Sequence, residues 1–128
     1  MEIIKLNCNH SISFTNEIIA TIGEFDGIHI AHQMLFKKTL ELAKESNKKS
    51  AVITFDPHPD VILGKDKHVL LSSTDKINII DKYGFDYLFI IEFDDNVLLM
   101  SHSDFVKKYL LKLNVIKLIV GFDFKYGY

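Results

Sequence analysis

The stretch Thr21–Phe36, "TIGEFDGIHIAHQMLF", decides the fold because three kinds of local structure follow one another within it. Its first residues end an apolar run that predicts a buried strand, and this run stops at Gly23. Asp26-Gly27 is a turn dipeptide, and an amphipathic helical pattern begins after it. A strand, a tight turn and a helix in this order are typical of the βαβ unit of a parallel sheet.

Four short apolar runs along the chain are near-continuous rather than alternating, which predicts strands that are buried on both faces. These runs are Ile18–Ile22, Ala51–Phe55, Tyr87–Ile91 and Leu118–Val120, and Glu2–Leu6 adds a short strand at the start of the chain.

Helical patterns separate the apolar runs. The first spans Ala31–Lys44 and includes Ala31 on its apolar side; the second has Ser73 or Thr74 as its N-cap and stops at Gly84; the third has Ser101 or Ser103 as its N-cap. The resulting order, β-α-β-α-β-α-β, predicts an α/β fold: a Rossmann-like, doubly wound, mostly parallel sheet with flanking helices. No helix follows the last strand, so we expect a fold that is incomplete at its C-terminus.

The bulk composition favours one domain, residues 1–128, with a real core, since 48% of the 128 residues are apolar. A net charge of -2 gives no reason to expect nucleic acid or an anionic membrane as a partner. One cysteine, Cys8, and the lack of a long apolar run or signal peptide favour a cytoplasmic location. All 15 basic residues are lysine, so an anion would be bound without a guanidinium.

Acidic residues follow the apolar runs, at Asp26, Asp56, Asp94 and Asp123. The carboxyl ends of parallel strands lie along one edge of a sheet, and ligands of open α/β sheets bind at that edge. We therefore expect the functional site at these four strand ends.

Two histidines, His29 and His32, lie three positions apart at the start of the first helix. The free amide groups of a helix start favour an anion, and both imidazoles can donate hydrogen bonds to phosphate oxygens. The pattern thus favours a nucleotide site in which histidine stabilises charge on a transferring phosphate. Two alternatives are that His32 only packs under the sheet, or that both histidines bind zinc together with Asp56 and His58.

Two further motifs add aromatic and polar groups at the same edge. In "TFDPHP", residues 54–59, two prolines stiffen a loop in which Phe55 and His58 offer a stacking surface for a flat ligand. In "GFDFKYGY", residues 121–128, Asp123 is a polar anchor between two phenylalanines. A rigid strand exit with no ligand is the alternative interpretation of the first motif.

The three motifs together resemble those of the FMN adenylyltransferase domain of bacterial bifunctional riboflavin kinase/FAD synthetases, within the HxGH nucleotidyltransferase superfamily. "TIGEFDGIHIAHQ" is similar to the family's GxFDGxHxGHQ signature, "TFDPHP" to its second motif and "VGFDFKYG" to a GxDFxFG-type segment. The resemblance covers nearly the whole chain, and the order and spacing of the motifs agree with the family.

The resemblance implies transfer of AMP from MgATP to FMN, which gives FAD and pyrophosphate. It implies catalytic roles for His29 and His32 on the ATP phosphates. It also implies a nucleotide pocket, a flavin side and a Mg²⁺ ligand. The nucleotide pocket would comprise Gly23, Phe25, Asp26, Gly27, His29, Ala31 and His32; the flavin side Phe55, Pro57, His58, Pro59, Asp123 and Phe124; and the Mg²⁺ ligand would be Asp123.

Two departures from the family pattern qualify this expectation. Ala31 stands where the family has the glycine of HxGH, and the resemblance implies that its methyl group lies beside the adenine, so we expect ATP binding to be weaker by at most about 1 kcal/mol. The chain stops at Tyr128, before the family's Ser/Thr- and Arg-containing phosphate-binding segment and its kinase domain. We therefore expect a truncated domain that does not turn over alone. Another HxGH-type nucleotidyltransferase, or an inactive module that binds nucleotide or flavin, are the alternatives.

Overall fold

A computed structural model describes residues 1–25, 30–56 and 73–121. The strands are β1 (Glu2–Leu6), β2 (Ile18–Ile22), β3 (Lys49–Asp56), β4 (Tyr87–Glu92) and β5 (Val115–Ile119). The helices are α1 (Ile30–Ser46), α2 (Ser73–Asp81), α3 (Asp95–Leu98) and α4 (His102–Phe105), and α4 continues as a π-helical segment, Val106–Leu110.

The five strands form one sheet in the order β1-β4-β3-β2-β5, and every pairing is parallel. The chain moves from β2 to β3 to β4 in one direction and then returns to place β5 on the other side of β2. The strand order therefore reverses between β2 and β5. In open α/β sheets this reversal opens a crevice beyond the carboxyl ends of the two strands.

Helices cover both faces of the sheet, as the doubly wound prediction requires. Val52 and Ile53 are neighbours on β3 but belong to different core clusters, because successive side chains of a strand point to opposite faces. Val52 packs with Phe36 of α1 and Ile80 of α2. Ile53 packs in the cluster that contains Tyr109 of the π-helical segment. The predicted fold class is confirmed.

The predicted strands are all present, including the short first one, but the prediction of burial on both faces is wrong for β5. Strands β2, β3 and β4 are buried along almost their whole length. Strand β5 lies at the edge of the sheet, and Ile116 is 49% exposed and Val120 just beyond it 42% exposed. A continuous apolar run indicates a strand, but it does not say which strand occupies an edge.

The helix predictions were right in position and partly wrong in detail. Helix α2 begins at Ser73, so both predicted N-cap residues, Ser73 and Thr74, lie inside it rather than capping it. Gly84 has a φ of 89° in the turn that follows α2, as expected for a glycine that stops a helix. Ser101 is the N-cap of α4, and its hydroxyl accepts a hydrogen bond from the Asp104 amide. Ala31 is exposed on α1 and does not join the apolar side.

Candidate functional site

Side-chain and backbone hydrogen bonds hold the carboxyl end of β2 to both neighbouring strands. The Thr21 hydroxyl donates to the carbonyl oxygen of Ile119 on β5, with an oxygen–oxygen distance of 2.8 Å. The Gly23 amide donates to the carbonyl oxygen of Ile53 on β3, at 3.1 Å. The residues that follow β2 are thus anchored beside the point where the strand order reverses.

The turn Gly23–Phe25 folds back on itself at this point. Phe25 adopts a φ of 52°, in the left-handed region, and its side chain is only 2% exposed. Its ring lies so close to Gly23 that a Cβ atom on Gly23 would be 2.9 Å from two ring carbons. Gly23 is therefore needed for the close approach of the Phe25 ring.

The Phe25 ring in turn contacts the first residues of α1. It meets the His32 ring in an edge-to-face arrangement, with centroids 5.2 Å apart and an interplanar angle of 90°. It also contacts Phe36, with centroids 4.9 Å apart. His32 is half-buried, so one part of the imidazole packs on Phe25 and the rest reaches the surface.

The first turn of α1, described from Ile30 onward, contains no acidic residue, and Ala31 is exposed beside His32. The backbone amide groups at a helix start and the positive end of the helix dipole favour an anion, and no side chain of this turn opposes that charge. Together with His32, they offer hydrogen-bond donors to an anion.

Lys76, on α2, is a residue of this region that the sequence reasoning missed. It is 8% exposed, and its ammonium donates to the carbonyl oxygen of Glu24 at 3.0 Å and to the Thr54 hydroxyl at 3.2 Å. The spacing offered a signal, because Lys76 lies four residues before the buried Ile80 and therefore on the buried face of α2.

The expected flavin side begins at the end of β3. Phe55 is 4% exposed, and its ring meets Phe93 edge-on with centroids 5.8 Å apart. The ring is thus inside the core rather than on an open stacking surface. Asp56, the last residue of β3, is exposed, and its carbonyl oxygen accepts a hydrogen bond from the Phe93 amide.

Acidic groups after β4 have a structural task in the described part of the chain. The Asp94 carboxylate accepts a hydrogen bond from the Val97 amide and caps α3, a helix that the sequence reasoning did not predict.

Burial raises the pKa of the nearby Tyr109 to about 12, and the charges of Cys8, Asp94 and Glu92 add to the shift. The Tyr109 hydroxyl has no hydrogen-bond partner among the described residues.

Several expected site residues lie outside the described residues: Asp26, Gly27, His29, Pro57, His58, Pro59, Asp123 and Phe124. Their roles stay predictions. Within residues 1–25, 30–56 and 73–121, no group of three or more His, Cys, Asp or Glu side chains is arranged to hold a metal ion. The described residues do bring Gly23, Phe25, Ala31 and His32 together at the reversal of strand order.

Comparison with known proteins decides which family uses this arrangement. A family model described as "FAD synthetase" matches residues 11–128. The chain belongs to the FAD synthetase family. The match includes the Gly23–Phe25 turn and the start of α1, so the geometry described above is that of an FAD synthetase-family domain.

Relatives of this FAD synthetase-family chain are consistently longer than it. It is 36% identical over 112 residues to the "Bifunctional riboflavin kinase/FMN adenylyltransferase" of Bacillus subtilis (strain 168), covering 85% of this chain and 35% of that protein. It is 32% identical to a Listeria monocytogenes "FAD synthetase", covering 85% of this chain and 45% of that protein. The Escherichia coli (strain K12) bifunctional enzyme is 30% identical, with 99% and 42% covered. The chain thus spans less than half the length of these relatives.

A solved structure agrees on the fold. The crystal structure titled "Macrolide-efflux Protein from Streptococcus pneumoniae" superposes with a TM-score of 0.83, covering 99% of this chain and 43% of that one. At 23% identity this likeness concerns the fold alone. In the described part of this FAD synthetase-family chain, no helix has the length and apolar character needed to cross a membrane.

Proposed function

We propose that this domain transfers AMP from MgATP to FMN, giving FAD and pyrophosphate, as an FMN adenylyltransferase. The observation that carries the proposal is the placement of His32. Its ring is held by Phe25 in the first turn of α1, at the point where the strand order reverses. Membership of the FAD synthetase family supports FMN as the acceptor.

In the proposed reaction, a phosphate oxygen of FMN attacks the α-phosphorus of ATP in line. The new P–O bond joins AMP to FMN, and the bond between the α- and β-phosphates breaks to release pyrophosphate. Because the protein forms no covalent bond in this mechanism, its task is to position the substrates and stabilise charge.

The start of α1 would carry out this task on the nucleotide side. The amides of its first turn and the imidazole of His32 would donate hydrogen bonds to the phosphates, and His29 would act in the same way. Gly23 and Phe25 would shape the pocket together with Asp26 and Gly27. We propose that the contact with Phe25, at a centroid distance of 5.2 Å, orients the His32 ring for this task.

The flavin would lie beyond the carboxyl end of β3. We propose that Pro57, His58 and Pro59 line it, with Phe55 at the base of this wall. Asp123 and Phe124 would close the other side. Because Phe55 is buried, we propose that it supports the wall rather than stacking on the ring system.

Magnesium would arrive with the nucleotide as MgATP, and we propose Asp123 as its protein ligand. When bound there, a divalent cation would help to stabilise the negative charge of the phosphates. We propose ATP and FMN as small-molecule partners, no nucleic-acid partner, and a cytoplasmic location. The net charge of -2 agrees with a domain that does not bind nucleic acid through bulk charge.

The product of the natural reading frame that contains this domain provides the test. It is mixed with Mg²⁺ and each combination of ATP, CTP or GTP with FMN, riboflavin or phosphopantetheine, and pyrophosphate and FAD are measured. The proposal predicts pyrophosphate release and FAD only with ATP and FMN. Turnover of another pair in their place would identify a different HxGH-type nucleotidyltransferase.

The 128-residue chain alone is compared in the same assay and by calorimetry with ATP and with FMN. We expect this chain to bind nucleotide without turnover. Turnover by the chain alone would show that residues 1–128 contain the complete catalytic site.

A further inference from the structure

The buried ammonium of Lys76 lies between the ends of two strands. A lysine side chain that is 8% exposed has lost most of its hydration, which is costly unless the charge is met by polar groups. Among the described residues, the groups that accept hydrogen bonds from it belong to the turn after β2 and to the end of β3. The position is therefore specific, since a surface lysine would reach water instead.

Two of the described hydrogen bonds in this region end on the same backbone atom. The carbonyl oxygen of Glu24 accepts a bond from the ammonium at 3.0 Å and a second bond from the Thr54 hydroxyl at 3.2 Å. The ammonium also donates to that hydroxyl at 3.2 Å. A longer bond, of 3.4 Å, reaches the carbonyl oxygen of Phe55. Lys76 and Thr54 thus act as a pair on the peptide group between Glu24 and Phe25.

This peptide group sets the conformation of the turn. Phe25 follows it with a φ of 52°, a conformation that a non-glycine residue adopts only when its surroundings enforce it. The ring of Phe25 then rests on Gly23 and meets His32. A displacement of the Glu24 carbonyl would therefore move the Phe25 ring and, through its contact with that ring, the imidazole of His32.

We propose that Lys76 is a positioning residue of the nucleotide site: its ammonium, acting with the Thr54 hydroxyl, holds the Gly23–Phe25 turn so that Phe25 orients His32. The inference rests on the proposed function for its effect on ATP. The structural part of the inference, that Lys76 and Thr54 fix the Gly23–Phe25 turn, does not depend on the proposed function. Of the four described bonds, two end on the Glu24 carbonyl and one, of 3.4 Å, on the Phe55 carbonyl, so we expect the larger effect of Lys76 on the nucleotide side.

The main experiment uses Lys76→Met in the product of the natural reading frame, because methionine keeps an unbranched stem and removes the charge. We expect the KM for ATP to rise about tenfold, as when a charge-assisted hydrogen bond that orders a site is lost, with the KM for FMN changed by less than about twofold. Lys76→Arg, which restores a donor, should recover part of the affinity. Lys82→Met removes an exposed lysine just after α2 and should behave as wild type.

Thr54→Val gives a second test that buries no new charge. It removes one of the two bonds to the Glu24 carbonyl and should raise the KM for ATP by a smaller factor. If Lys76→Met fails to fold, the KM for ATP of Thr54→Val tests the proposal instead. An unchanged KM for ATP in both Thr54→Val and any folded Lys76 variant would overturn the proposal, even if the melting temperature fell. An equal rise in KM for both substrates would also overturn it, since a general loosening would explain that result.

Hydrogen exchange in the ligand-free protein separates this inference from the proposed function. The Gly23 amide donates to Ile53 and reports on the turn. We expect faster exchange of segment 21–25 in Lys76→Met than in Lys82→Met. Unchanged exchange would overturn the inference even if the wild type makes FAD. Faster exchange in a protein that makes no FAD would refute only the proposed function.

Discussion

The substitution Gly23→Ala tests the close approach on which the site depends. The added Cβ would be 2.9 Å from two carbons of the Phe25 ring and 3.3 Å from a third, well inside van der Waals contact. The ring cannot move away easily, because it is 2% exposed and packs against Phe36, at a centroid distance of 4.9 Å, and against His32. Overpacking of this kind costs about 1–3 kcal/mol. We expect the free energy of unfolding to fall by that amount.

The assay is urea unfolding followed by circular dichroism, applied to a double-mutant cycle. Phe25→Leu shortens the side chain that meets the new methyl group, so Gly23→Ala should cost less in its presence than in the wild type. We expect a coupling energy of about 1 kcal/mol or more. Gly84→Ala is the matched control: its φ of 89° makes alanine costly, but its Cβ would meet nothing within 4 Å. Gly84→Ala should therefore not couple to Phe25→Leu.

Additive free energies for Gly23→Ala and Phe25→Leu would refute the reasoning, since they would mean that the methyl group and the ring do not meet. The same variant also bears on function. A displaced Phe25 ring no longer orients His32, so we expect a raised KM for ATP in the product of the natural reading frame. A wild-type KM in a destabilised Gly23→Ala variant would separate the stability of the turn from the site.

Three further predictions concern other parts of the molecule. Tyr109→Phe should leave the free energy of unfolding unchanged or slightly higher at pH 7, because the buried hydroxyl has no hydrogen-bond partner among the described residues. Burial raises the pKa of Tyr109 from 10.0 to about 12, so the phenol ionises in the unfolded state at a lower pH than in the folded state. As the pH rises from 10 to 12, the free energy of unfolding of the wild type should therefore fall by about 2–3 kcal/mol, and that of Tyr109→Phe should not show this loss. Ala31→Gly should lower the KM for ATP by about fivefold while costing up to about 1 kcal/mol of helix stability. Thr21→Val should cost about 1–3 kcal/mol by removing the hydroxyl that donates to Ile119.

Each of these predictions has its own control and measurement. For Tyr109→Phe, the free energy of unfolding in urea is measured between pH 7 and 12, and Tyr87→Phe, which removes a half-buried phenol elsewhere, is the control. The same pH dependence in Tyr109→Phe and in the wild type would contradict the prediction for Tyr109. Gln33→Gly matches the helix cost of Ala31→Gly at an exposed neighbour, so an equal KM for ATP in both would contradict the second. Wild-type unfolding of Thr21→Val would contradict the third.

The parallel sheet was predictable because its central strands are continuous apolar runs separated by amphipathic segments. The Ile18–Ile22 run is buried at every position, as expected for a strand with neighbours on both sides. The edge position of β5 was not predictable, since apolar character does not encode strand order. Helix α3 was missed because its four residues are too short for a periodic pattern.

The sequence predicted where the site lies but not the contacts between distant segments that fix the positions of its side chains. Gly23 and His32 were found from the turn and from the helix start. The positive φ of Phe25 and the burial of Lys76 were not, because both depend on contacts between segments far apart in the sequence. A lysine within a polar segment is usually solvated, and only the spacing to Ile80 marks this one as buried. The burial of Phe55 likewise follows from its contact with Phe93 on another strand end.

The most direct test of the account uses ATP labelled at the α-phosphate, with FMN, Mg²⁺ and the product of the natural reading frame. Adenylyl transfer predicts that the label appears in FAD at the rate of pyrophosphate release, and that His32→Ala slows both by about a hundredfold or more. Label that is released as AMP without FAD, or transfer to FAD that is unchanged in His32→Ala, would contradict the central claim that the imidazole at the start of α1 serves transfer of AMP to FMN.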